Sequence, residues 1–127
     1  MSGPDCSAKQ YIQADQIDGL IAVAGVDGAR DILDAFWRST NDLVAKLDIA
    51  LAAHDFGEAA ALAHALKGSA GNVGANAICV ATKTLELCCK SEDAAACESA
   101  LSFVKADVKT TSEAFAAHFE NAEAQVA

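Results

Sequence analysis

Along the chain, apolar residues return at three- and four-residue intervals, the spacing of one face of an α-helix. No stretch shows the sustained β-branched alternation of a strand. The clearest run is "ARDILDAFWRSTNDLVAKLDIALAAH", where Ile32, Leu33, Phe36, Leu43, Leu47, Ile49 and Leu51 keep a mostly helical rhythm from about Gly28 onward. Asp27 is placed to cap its start, His54 falls near its end and can face its negative pole, and Asp55 can cap the helix that follows. That helix ends around Gly74, another runs from about Ala75 to Lys90, and Ser91, Glu92 and Asp93 cap a last one reaching nearly to the C-terminus. A further short helix is expected within residues 7 to 23, ending near "AGVDG". The pattern predicts an all-α fold, an antiparallel up-down-up-down four-helix bundle with an additional short N-terminal helix. Without repeat or linker, residues 1–127 are expected to form a single domain.

The helix after Asp55 contains an anomaly, "LAHALKGSAGNVGA", with Gly68, Gly71 and Gly74 closely spaced. Glycine inside a helix costs about 1 kcal/mol relative to alanine. On a helical wheel Ala59, Leu62, Ala63, Leu66, Ala70 and Val73 form one apolar stripe, the predicted core face. His64 falls on the other side with Gly68, and Gly57, Ala61 and Gly71 around them, so the imidazole is expected in water among the smallest side chains. Lys67, three residues on, can bring an ammonium to an anion on the ring. An exposed histidine beside a cation, with space for approach, has the makings of a nucleophile for a phosphoryl group carried by a docked partner. An outward histidine argues against a haem or metal bundle. The other histidines, His54 and His118, are expected at a helix end and on a helix surface, and Phe36, Trp37, Phe115 and Phe119 at the core or its edge.

Composition narrows the partners. The formal net charge of −9, from 9 basic and 18 acidic residues, argues against nucleic acid, which needs clustered Lys and Arg. No apolar run approaches the roughly 18 residues of a membrane span, and the first residues lack a secretory signal pattern, so no membrane association and a cytoplasmic location are expected. Cys6, Cys79, Cys88, Cys89 and Cys97 contain no CxxC and are expected as reduced thiols, with no metal and no other cofactor.

The segment "AHALKGSAGNVGA" resembles the signature of histidine-containing phosphotransfer (HPt) domains, approximately AHxLKGSAxxxGA. The likeness extends to Ile32, Leu33 and Phe36 before it and to Leu85 and Glu86 after it, over residues 28–90. The resemblance implies a phosphorelay intermediate without ATP-dependent kinase activity, whose partners are receiver domains of response regulators and of a hybrid histidine kinase. By position His64 would be the phosphoacceptor through Nε2, Lys67 the phosphate-stabilising cation and Gly68 the space-making residue, with Ser69 bonding back to the backbone. Glu86 stands where several members carry a glutamine that binds the ring's Nδ1; a carboxylate there could orient the ring or be a solvated charge. Lys83 and Lys90 could meet an acidic receiver pocket, and Ile17, Leu20 and Ile21 could add an apolar docking surface. A monomer is expected. The alternative is a module that binds and sequesters response regulators without relaying phosphate.

Overall fold

The computed structural model describes residues 11–126. Four helices follow one another: α1 (Ala14–Ala52), α2 (Phe56–Asn72), α3 (Asn76–Lys90) and α4 (Ala94–Val126). They form an antiparallel bundle in which α2 packs on α1 and α3, and α4 on α3 and α1. Short connections force consecutive helices to be antiparallel neighbours. Among the described residues no helix is long and apolar enough to cross a membrane.

The additional short helix expected at the N-terminus is the leading segment of α1, residues 14–24, set off from the rest by a kink at Gly25, where φ is 78° and ψ 169°. This left-handed value costs glycine little and other residues about 1 kcal/mol or more, so the break falls within "AGVDG" where the expected boundary was drawn. Asp27 lies inside α1, past the break. Asp55 and Asp93 do cap as their positions predicted: their side chains accept from the backbone N–H of Glu58 and Ala96, each at 3.1 Å. His54 closes the α1–α2 turn in the left-handed region, with φ 54°.

The core draws on every helix. Leu33, Phe36 and Leu47 of α1, Ala59, Ala63, Leu66 and Ala70 of α2, Ile78 and Leu85 of α3, and Leu101, Val104, Phe115 and Phe119 of α4 are all buried. Small residues on α2 let its neighbours approach closely. Ile32 and Ile49, included in the apolar rhythm, are exposed, because a stripe counted over many turns drifts off the buried face. Trp37 lies partly buried between Phe36 and Phe115, in edge-on contacts with centroids 4.9 and 5.9 Å apart. Cys89 and Cys97 pack α3 on α4 with sulfurs 3.7 Å apart. These two and Cys88 are free, whereas Cys79 is disulfide-bonded, correcting the expectation of reduced thiols throughout; Cys6 lies outside the described residues.

The start of α1 is fastened to the α2–α3 turn. Gln13 N–H donates to the Gly74 carbonyl at 2.8 Å. Gln16 Nε2 donates to the carbonyls of Gly71 and Asn72, both at 2.8 Å, satisfying acceptors that the end of α2 leaves without helical partners. Ile17 is consequently 2% exposed, in the core and not on a docking surface, and Leu20 and Ile21 are partly buried against that core. At the far side α1 meets α4 through Arg30 and Glu123, a two-pronged pair at 2.6 and 2.8 Å, and through Asp18 and His118 at 2.7 Å. His118, expected on the surface, is thus engaged with α1.

Gly74 has φ 77°, and a Cβ there would lie 3.2 Å from the Gln13 carbonyl oxygen. Gly74→Ala is therefore expected to destabilise the protein by about 1–2 kcal/mol, read as a lower midpoint in chemical denaturation.

Candidate functional site

The site is made by the antiparallel apposition of α2 and α3. On α2 the buried stripe leaves His64 outward, its side chain 68% exposed. On α3 the stripe of Ile78, Cys79, Thr82 and Leu85 continues directly into Glu86, so a carboxylate takes a position where an apolar residue is the norm. Its side chain is only 8% exposed. A charge in that position must be paired and hydrogen-bonded.

Three groups do so. Lys67 Nζ donates to Glu86 Oε1 at 2.9 Å, Lys90 Nζ lies 3.1 Å from Oε2, and His64 Nδ1 lies 3.1 Å from the same Oε2. The Lys67 hydrogen bond is the largest influence on the carboxyl group, ahead of the opposing effect of burial and the further bonds from Lys90 and His64; together they hold it at about 2, well below its ordinary value. Glu86 is thus ionised at neutral pH and can only accept. The proton of the neutral ring must sit on Nδ1, donated to Glu86, which leaves the lone pair on Nε2. Among the described residues Nε2 has no hydrogen-bond partner. Of the alternatives for Glu86, burial and the 3.1 Å contact with Nδ1 are the geometry of a carboxylate that orients the ring and not of a solvated charge.

Gly68, one turn beyond His64, is exposed, and a Cβ added there would meet nothing within 4 Å. The fold does not require this glycine. Ala61 is exposed on the same helix, and Ser69 Oγ donates to the Leu66 carbonyl at 3.3 Å, the backbone bond foreseen for it. Gly71 is corrected: it is buried, with its carbonyl on Gln16, and takes no part in an open ring around the histidine. Lys83 is exposed and makes no ion pair among the described residues, while Lys90 joins the site through Glu86. Sequence spacing placed Lys90 with Lys83, yet its i+4 distance from Glu86 was the signal for the contact it makes.

Residues 31–124 match the Hpt domain family. The chain belongs to that family. Hpt domains are phosphotransfer intermediates, and the chain has their helical fold. Solved structures with this architecture include histidine-containing phosphotransfer protein B from Pseudomonas aeruginosa, with a TM-score of 0.80 and 19% identity over 90% of this chain and 98% of that one. Another, from Medicago truncatula, has a TM-score of 0.80 and 20% identity over 91% and 82% of the two chains. A third, from maize, has 0.76 and 21% over 92% and 88%. At these identities the likeness is one of fold. No curated protein matches the sequence.

The depressed Glu86 value has a definite pH consequence. Its ionisation stabilises the native Hpt domain fully above its ordinary value of 4.5, and this contribution is lost as pH falls from there toward about 2. In chemical denaturation across that range, wild type should lose up to about 3 kcal/mol more than Glu86→Gln. Parallel acid limbs would exclude the buried ion-pair arrangement.

Proposed function

We propose that this Hpt domain protein is the intermediate of a multistep phosphorelay, in which His64 takes a phosphoryl group from an aspartate in the receiver domain of a hybrid histidine kinase and passes it to the receiver domain of a response regulator. The observation that carries the reading is the exposed Nε2, whose lone pair is set outward because Nδ1–H is committed to Glu86. The lone pair attacks phosphorus in line, the N–P bond forms as the acyl-phosphate O–P bond breaks, and the aspartate carboxylate leaves. No proton has to be removed from Nε2. The Nδ1 proton remains against Glu86, which offsets the positive charge the ring acquires. Return of the phosphoryl group to a second aspartate reverses these steps.

Lys67 is the cation within reach of the new group, and the open space at Gly68 admits the receiver. The sequence carries neither a P-loop nor a kinase glycine-rich motif, so the reading assigns no ATP-dependent kinase activity to the chain. The exposed cations Lys83 and Lys90 suit the acidic pocket of a receiver. The protein acts in this scheme as a monomer in the cytoplasm, with no cofactor.

Purified receivers charged with labelled phosphate should transfer label to wild type through an acid-labile, base-stable bond and should leave His64→Gln unlabelled. Binding of charged receivers without transfer, or equal labelling of the variant, would overturn the relay; the former would favour a sequestering module.

Gly68→Ala separates fold from function. It should stabilise the protein by about 0.5–1 kcal/mol, because the helix gains a residue of higher propensity and the new Cβ meets nothing. Transfer from a charged receiver should slow by about tenfold or more, since a small displacement of the docked donor spoils in-line geometry.

A further inference from the structure

Glu86 faces a difficulty if Lys67 is to serve the phosphoryl group. In the resting site Lys67 is already committed, 2.9 Å from Glu86 Oε1. Moving it away would leave a carboxylate that is 8% exposed with one fewer counterion, and an underpaired buried charge is costly. Lys90 supplies what is missing. It reaches the other oxygen, Oε2, at 3.1 Å from one turn further along α3, with its own side chain 62% exposed. The lysine end of the pair stays in solvent while the carboxylate end is buried, so Lys90 can remain in place without being desolvated itself. Its position beside the one carboxylate shared by His64 and Lys67 is its distinguishing feature.

We propose that Lys90 is a positioning residue for phosphorylation, the standing counterion of Glu86 that frees Lys67 to move onto the phosphoryl group when His64 is charged. This deepens the phosphorelay reading and rests on it. In the resting site two lysines face one carboxylate, an excess of one positive charge. Transfer brings a phosphoryl dianion on Nε2 and a positive charge on the ring, a net change of one negative charge, which that excess neutralises. The ring keeps its Nδ1 proton on Glu86 Oε2, Lys90 keeps Glu86 paired, and Lys67 exchanges Oε1 for a phosphoryl oxygen. Lys83, on the same helix, makes no ion pair with Glu86 among the described residues.

A donor too small to dock distinguishes this role from recognition of a receiver. With potassium phosphoramidate, His64 attacks phosphorus and ammonia leaves, so the initial rate of phosphohistidine formation reports the site alone. Lys90→Gln should lower that rate about three- to tenfold, and Lys90→Arg should restore it. In a Glu86→Gln background, where no carboxylate needs a counterion, Lys90→Gln should change the rate less than about twofold. An equal loss in both backgrounds would mean that Lys90 acts on the phosphoryl group directly, and a loss seen only with receivers would mean that it acts in docking; either overturns the proposal. Failure of the underlying relay shows separately, as wild-type protein that takes no label from any charged receiver.

Discussion

The buried carboxylate of Glu86 is the constraint around which the site is organised. Its position on the core face of α3 obliges it to find partners, and those it finds are the imidazole and two ammonium groups. One ion thereby fixes a tautomer, parks a cation and ties α3 to α2. A neutral amide could also accept the ring proton, but it would leave both lysines without a counter-charge and would place no negative charge beside the ring when that ring becomes cationic. The electrostatic character of this site thus differs from one built on glutamine, although the helices that carry it are arranged in the manner of the family.

The rest of the bundle keeps this apposition in register. α2 and α3 are joined by a turn that reverses at Gly74, and the turn is held from outside by Gln13 and Gln16. Since His64 and Glu86 sit on opposite arms of the hairpin, their 3.1 Å separation depends on that register. Small residues on α2 serve the same end, because alanines at 59, 63 and 70 bring the backbones near enough for short polar contacts at the surface.

Much of this was legible in the chain itself. The stripe Ala59, Ala63, Leu66, Ala70 and Val73 placed His64 outward, and Asp55 and Asp93 marked the helix starts they cap. The signature residues indicated the family. What was not legible depends on tertiary packing. Gly71 was assigned to the open face because a wheel shows only one helix, whereas the start of α1 crosses there and covers it. Ile17 was assigned to a surface for the same reason. The angle at which the two parts of α1 join at Gly25 and the disulfide state of Cys79 were likewise out of reach, since periodicity reports neither the geometry of a break nor the approach of distant thiols.

The interruption at Gly25 means that α1 is not one cooperative rod. Helical order propagates residue by residue and does not pass through a residue outside helical geometry, so the stretch from Ala14 to Ala24 has its own melting behaviour, supported by the packing of Ile17, Leu20 and Ile21, the Gln16 contacts and the Asp18–His118 pair, and little by the helix that follows. The leading segment can therefore loosen separately from the part of α1 that follows Gly25. Because that segment caps the end of α2, such loosening would reach the hairpin bearing His64 through two carbonyl groups, and would withdraw Ile17 from the core at the same end of the bundle.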